Sequence, residues 1–198
     1  MPINPNVISS LILAVTGIIV FYKYYKLLSF YNRFLWGIFS LSIALNALTE
    51  LLALVVPDAL DTFPELTLAC ERTLGAVAVV SASWCVVMRY EAGKFLLFCT
   101  IGLGLLLFYC IVMYKVQFMG LIIQPFCIIV SLLISCIGLA TKQKSSLWII
   151  FSMMLLALAS KSRDIPIPMD PIDISRYLML LSVLCFGYAI RDQYKILF

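Results

Sequence analysis

The sequence contains no histidine. Imidazole is the usual general base beside a serine nucleophile and the commonest protein ligand of zinc and of haem iron. Its absence excludes Ser-His catalysis, histidine metal sites and haem ligation by histidine. We therefore expect neither a metal nor a cofactor in this protein.

Charge is also scarce. Charged residues make up 12% of the 198 residues and hydrophobic residues 64%, whereas soluble domains contain about 25% and 45–50%. A chain of this length cannot bury so large an apolar fraction in water, so we predict an integral membrane protein. The apolar runs are continuous and do not alternate, which favours helices over strands. No basic residue precedes the first run, so we expect no cleavable signal peptide.

The cysteines form no Cys-x-x-Cys pair, and we interpret them as small apolar packing residues. There are seven of them, all within apolar runs: Cys70, Cys85, Cys99, Cys110, Cys127, Cys136 and Cys185.

Seven apolar segments predict an all-α bundle of seven transmembrane helices in one domain, residues 1–198. The first and sixth segments are short for a full span, so we expect either that their flanking side chains snorkel or that the helices extend into neighbouring polar residues. A six-span alternative makes the sixth segment re-entrant. The segments are 7–22, 34–56, 66–88, 95–114, 118–140, 147–160 and 176–190.

Basic residues indicate the orientation, because cytoplasmic loops are enriched in Lys and Arg. With the N-terminus outside and the C-terminus in the cytoplasm, nine of the 14 basic residues lie on the inner side and five on the outer side. No internal repeat is visible, which argues against inverted-repeat transporters. The third segment is rich in Ala, Gly and Ser, so we expect it in the middle of the bundle.

The strongest functional signal is Glu50, a carboxylate within an apolar run. Its burial in hydrocarbon costs about 2.5 kcal/mol or more unless a partner, a proton or water compensates it. Four segments place polar groups at the same outer depth, and we predict that these form one cluster. The candidate residues are Asn46, Glu50, Glu71, Arg72, Gln124, Asp173 and Arg176.

Two interpretations of this cluster stay open. In the first, Glu50 pairs with Arg72 or Arg176 in a network that fixes helix packing. In the second, the cluster is a polar pocket that opens to the outer face or outer leaflet. Because Glu71 and Arg72 are adjacent, they are expected to point in different directions. Asp173 is expected to precede the last helix as a cap, with residues 164–176 as an ordered outer lid.

Aromatic and basic residues alternate between the first two segments, from Tyr22 to Trp36. This pattern is typical of anchoring to anionic headgroups at the cytoplasmic interface. We therefore expect the lipid bilayer as a partner and no nucleic acid.

Two stretches carry a resemblance to a known family. Ile172-Asp173-Ile174-Ser175-Arg176 and residues 46–50 resemble stretches of small bacterial seven-helix membrane proteins, in which an Asn-Asp-hydrophobic-x-His motif opens the last helix. The plan is also similar to the seven-helix membrane hydrolase superfamily of alkaline ceramidases and adiponectin-receptor-like proteins. The resemblance implies a seven-helix fold in a bacterial inner membrane. This chain has Arg176 where the motif has histidine.

These observations favour a small non-enzymatic binding or accessory protein with a charged polar pocket at the outer face. The expected ligand is a lipid headgroup or a small polar molecule, and a membrane-protein partner is equally compatible. One alternative is a lipid hydrolase or transferase that uses Glu50 or Asp173 as acid or base. A transporter subunit is a third option.

Overall fold

The computed structural model describes residues 5–55, 62–114, 117–164, 166 and 168–195, and regular structure within these ranges is helical. Each predicted segment coincides with one helix. These are α1 Pro5–Tyr25, α2 Phe30–Val55, α3 Phe63–Val87, α4 Lys94–Tyr114, α5 Gln117–Ala140, α6 Lys144–Ser160 and α7 Pro171–Lys195.

Six of these helices are long and apolar enough to cross a membrane. Of the two alternatives for the first segment, the structure shows extension into the polar flanks, and α1 reaches 21 residues. The sixth extends as well, but α6 has only 17 residues, which corresponds to about 25 Å at 1.5 Å per residue. A hydrocarbon core is about 30 Å thick, so α6 is the one short apolar helix in the described part of the chain.

Packing arranges the helices as a closed circuit with one helix outside it. In order around the circuit, α1 packs against α2, α2 against α3, α3 against α5, α5 against α6, α6 against α7, and α7 against α1. Helix α4 packs mainly on α3. In the apolar stretch of α3 that is long enough to cross a membrane, 67% of the residues are buried, compared with 17% in that of α4. This high burial confirms the predicted central position of α3.

Small residues explain why α3 can lie in the middle, because they allow neighbouring backbones to approach closely. Gly104 of α4 shows how close the approach is. A Cβ atom built on it would lie 3.0–3.1 Å from Leu74 of α3, including 3.1 Å from the Leu74 Cα. The buried small residues of α3 are Ala69, Gly75, Ala76, Ala78, Ala82 and Ser83.

At the opposite end of the bundle, where α2 begins and α3 ends, one side chain fixes a loop and two residues end helices in the left-handed conformation. Asn32 donates from Nδ2 to the Tyr90 carbonyl (3.2 Å) and accepts from the Ala92 N–H (3.0 Å), which fixes the α3–α4 loop to α2. Arg89 and Lys142 have positive φ angles of 52° and 58°, in the position where a helix usually ends with glycine.

Two residues of the predicted aromatic belt belong to the core, Tyr24, which is 4% exposed, and Trp36. Trp36 is 1% exposed and stacks on Phe186 of α7, with ring centroids 5.2 Å apart. The prediction that it anchors the protein at the interface is wrong, because α2 begins at Phe30 and the ring points along its buried face.

The start of α7 also differs from the prediction. The helix begins at Pro171, five residues before the predicted start, since proline is well suited to the first helical position. Asp173 therefore lies inside the first turn and not before it. Of the predicted lid, Pro166 and Met169 are exposed, and Ile165 and Ile167 lie outside the described residues.

Candidate functional site

Arg176 is the centre of one polar cluster at the ends of α1, α2 and α7 on the side that the sequence predicts to be the outer one. Its Nε and Nη2 donate to the same oxygen of Glu50, at 3.2 and 2.8 Å. Its Nη1 donates to the Asn6 carbonyl at 2.8 Å and to Ser9 Oγ at 3.1 Å, and lies 3.7 Å from Asp173 Oδ1. All three guanidinium nitrogens are thus engaged. We call these five residues the outer clamp.

Helix α1 contributes two members of the outer clamp that the sequence did not predict. Ser9 is 1% exposed and donates from Oγ to the buried Asp173 carboxylate. Asn6 donates from Nδ2 to Asp170 Oδ2 at 3.2 Å, in addition to the contact of its carbonyl with Arg176. The available signal was the polar group Asn6, Ser9 and Ser10 at one-turn spacing at the start of an apolar run.

Asp170, and not Asp173, caps α7. Its Oδ1 accepts the Ile172 N–H at 3.0 Å, and its Oδ2 accepts from Asn6. These two hydrogen bonds, the backbone one first, lower the pKa of the Asp170 carboxyl below its ordinary value, because they stabilise the carboxylate form.

A second polar cluster lies between α2 and α3. Glu71 is 6% exposed and accepts a hydrogen bond from Asn46 Nδ2 at 2.8 Å. Thr67 Oγ1 donates to Asn46 Oδ1 at 3.2 Å and lies 2.7 Å from Thr49 Oγ1. The Asn46 amide is therefore oriented by α3 threonine, with its N–H directed at the carboxylate. The hydrogen-bond partner of Glu71 in this cluster, the Asn46 side-chain amide, is neutral.

A π-helical turn positions Glu71. Residues Glu71–Gly75 form this turn within α3, and the Ala76 N–H bonds to the Glu71 carbonyl, five residues back. Such turns insert one extra residue and shift the faces of a helix, and they occur often at functional sites. A Cβ atom on Gly75 would overlap Ser42 Oγ and lie 4.0 Å from Glu71 Cγ. The glycine thus lets α2 approach beside the carboxylate.

A small cavity lies directly beside this turn, between α2, α3, α5 and α6. The volume that the centre of a water molecule can occupy in this cavity is about 20 Å³. One bound water needs roughly 10–15 Å³ of such volume. Its polar lining consists of Glu71, Gln124 and Ser42, and the rest is apolar except for a thiol. The other lining residues are Phe39, Ile43, Gly75, Ala76, Val79, Cys127, Ile128 and Leu156.

Arg72 takes no part in either cluster. Its side chain points toward α5, where a Cβ atom on Gly120 would lie 3.7 Å from Arg72 Cδ and 4.0 Å from Nη1. Glu71 and Arg72 thus diverge, as their adjacency predicted. Within the described ranges no salt bridge joins Arg72 to an acidic residue.

The structure therefore divides the predicted single cluster into two. Glu50, Asp173 and Arg176 belong to the outer clamp. Asn46 and Glu71 belong to the cluster that borders the cavity, which Gln124 completes from α5. Of the two predicted partners of Glu50, Arg176 is the one that it contacts.

The two clusters differ in whether their polar groups are paired with one another or face a space that a ligand could occupy. In the outer clamp, both carboxylates face Arg176, and Ser9 also donates to Asp173, so each carboxylate is engaged by direct contacts although the two share one cation. At the cavity, a buried carboxylate, a carboxamide and a hydroxyl surround a space of molecular size. Direct pairing is typical of a packing role, whereas polar groups that converge on a cavity are typical of a binding site.

The sequence matches no protein-family model, and neither a curated protein nor a solved structure matches the chain.

Proposed function

We propose that this chain is a small multi-pass membrane protein that binds a small polar or charged ligand in the cavity beside Glu71. The observation that supports the proposal is the environment of this carboxylate. It is buried, its hydrogen-bond partner Asn46 is neutral, and it borders a cavity with room for a water-sized species. A buried ionisable side chain in a membrane interior is a functional-site hypothesis by default.

The size of the cavity selects among the expected ligands. A lipid headgroup is several times larger than a space that holds about one water, whereas a small polar molecule or an ion is compatible with it. The outer clamp has the complementary role in this proposal: it holds α1, α2 and α7 together. The protein is then a binding or accessory module and not an enzyme.

The second candidate function is a subunit of a transporter. Carboxylates near a cavity in the membrane interior are the usual coupling sites of such proteins, and Glu71 fits that description. A lipid hydrolase is less well supported, since acid–base chemistry on a cavity calls for two titratable groups there. Glu71 is the one carboxylate among the described lining residues.

We further propose seven spans in a bacterial inner membrane, with the N-terminus outside and the C-terminus in the cytoplasm. The nine-to-five distribution of basic residues supports this orientation. Cysteine substitutions at the exposed Glu65 and Lys142 test it with a membrane-impermeant maleimide in intact cells. The native cysteines are first replaced by alanine. We expect labelling at position 65 and none at position 142, and the reverse pattern would refute the orientation.

Native mass spectrometry of the protein released from its own membrane tests the binding proposal. We expect a bound small species in the wild type and in Glu50→Gln, whose carboxylate lies in the outer clamp. Glu71→Gln is expected to lose it, although the glutamine carbonyl can still accept the Asn46 hydrogen bond. Binding that is equal in all three proteins, or a wild type without any bound species, would refute the proposal.

A further inference from the structure

We propose that the ligand of the Glu71 cavity is one dehydrated monovalent cation, with Na⁺ as the ion of best fit. This inference rests on the proposed function and names the ligand of the same site.

The charge of the site favours a single positive charge. Glu71 is the one charged side chain on the described cavity lining, and it accepts a hydrogen bond from the neutral Asn46 amide. Glu50 is already paired with Arg176, and Arg72 points toward α5. One carboxylate compensates one monovalent cation.

A divalent ion fits the same charges poorly. Ca²⁺ and Mg²⁺ sites in proteins contain several oxygen ligands and usually more than one carboxylate. Within the part of the chain that the structure describes, no three Asp, Glu, His or Cys side chains converge on one point.

The polar atoms that line the cavity are suited to a hard cation. Asn46 donates to Glu71 Oε2, which leaves Oε1 as a further acceptor. The Ser42 hydroxyl donates its proton to the Phe39 carbonyl at 2.9 Å, so its lone pairs stay available. Gln124 lines the cavity from α5, and its carboxamide has an oxygen that can serve as a ligand. Carboxylate, hydroxyl and carbonyl oxygens are the ligands that hard cations prefer.

The backbone provides the room for these oxygens. Gly75 lies where a side chain would overlap Ser42 Oγ and approach Glu71 Cγ, so glycine keeps the two oxygen-bearing side chains beside each other. The cavity measures about 20 Å³. Na⁺ without its hydration shell is smaller than a water molecule, so this space accommodates it together with the lining oxygens.

Sodium-dependent stability tests the proposal. The wild-type protein in lipid nanodiscs is melted while NaCl replaces choline chloride at constant ionic strength and pH. A dissociation constant of about 1 mM predicts that the Tm rises by roughly 5–10 °C at 100 mM Na⁺, since a ligand that binds only the folded state stabilises it by mass action. The rise is expected to saturate, and equilibrium binding of ²²Na⁺ is expected to approach one ion per chain.

Three variants assign the effect to the cavity. Glu71→Gln removes the charge but keeps the acceptor for Asn46, and it is expected to abolish the response to Na⁺. Ser42→Ala removes one oxygen ligand and is expected to weaken Na⁺ binding about tenfold, as for the loss of one contact to a charged group. Glu50→Gln is the matched control outside the cavity and is expected to keep the response.

Several results would overturn the proposal. The first is an equal response of the wild type to Na⁺ and choline, and the second is an undiminished response of Glu71→Gln. A Tm that depends on pH but on no cation would show that Glu71 holds a proton instead. If Na⁺ does not raise the Tm but mass spectrometry still finds a bound species that is lost in Glu71→Gln, the proposed binding function is supported and Na⁺ is refuted as its ligand.

Discussion

The ion pair between Glu50 and Arg176 allows the effect of one substitution to be estimated from the structure. Glu50→Gln keeps the shape of the side chain and removes its charge. Arg176 then loses the opposite charge at 2.8 Å, although the glutamine carbonyl can still accept its hydrogen bond. It also keeps Ser9 and the Asn6 carbonyl as acceptors, and Asp173 at 3.7 Å as a counter-charge. The perturbation is therefore partial.

Two limits bracket the cost. Breaking a fully buried ion pair costs about 3–5 kcal/mol, whereas an exposed pair contributes about 0–1 kcal/mol. The Arg176 side chain is 10% exposed and that of Glu50 33% exposed, so the pair lies between these limits. With Asp173 still present, we expect a loss of roughly 1–3 kcal/mol, which for a chain of this size corresponds to a Tm about 2–12 °C lower.

Thermal melting in nanodiscs without sodium measures this loss. The matched control is Asp164→Asn, which breaks the 3.8 Å pair with Lys161, whose two side chains are 75% and 74% exposed. We expect its Tm to stay close to that of the wild type. Arg176→Gln is expected to be the most destabilising of the three, because it leaves Glu50 and Asp173 without their cation. A Glu50→Gln protein that melts together with the Asp164→Asn control would refute the reasoning.

Three further substitutions test the packing, the helix ends and the pH dependence by melting. Gly104→Ala is expected to destabilise the protein by about 1–3 kcal/mol, because its Cβ would lie 3.0–3.1 Å from Leu74. The control Gly102→Ala, whose Cβ meets nothing within 4 Å, is expected to be neutral or stabilising. Equal effects of the two substitutions would contradict the close contact between Gly104 and Leu74. Arg89→Gly is expected to stabilise by up to about 1 kcal/mol, because φ is 52° there, and a lower Tm would count against it. Because the pKa of the Asp170 carboxyl is lowered in the folded state, its contribution is present above its unfolded pKa of about 4 and is lost as the pH falls. Asp170→Asn should therefore reduce the loss of stability on acidification, and an unchanged acid profile would exclude this contribution.

The helices were predictable because long apolar runs have few alternatives in a membrane. Their ends were less so. The last helix was predicted from Arg176, where the apolar run starts, but it begins at Pro171. The signal for the earlier start was Asp170-Pro171, an N-cap residue followed by proline. Hydropathy alone does not register such a start.

The members of the candidate site were largely predictable, but their grouping was not. Residues at one depth on four helices need not face the same point, because successive residues on an α-helix are about 100° apart. The π-helical turn at Glu71–Gly75 adds a further shift of the face that composition does not reveal. For this reason the sequence placed Arg72 and Glu50 together, whereas the structure separates Arg72 from both clusters.

The different roles of the two clusters form the central claim, and melting of Glu71→Gln without sodium tests it most directly. A binding residue that is buried without a compensating charge costs stability, so its neutral isostere should be neutral or stabilising. The account predicts that Glu71→Gln melts at or above the wild-type temperature in choline chloride, whereas Glu50→Gln melts below it. A loss of stability in Glu71→Gln as large as that in Glu50→Gln would contradict the account, because it would make Glu71 a structural residue.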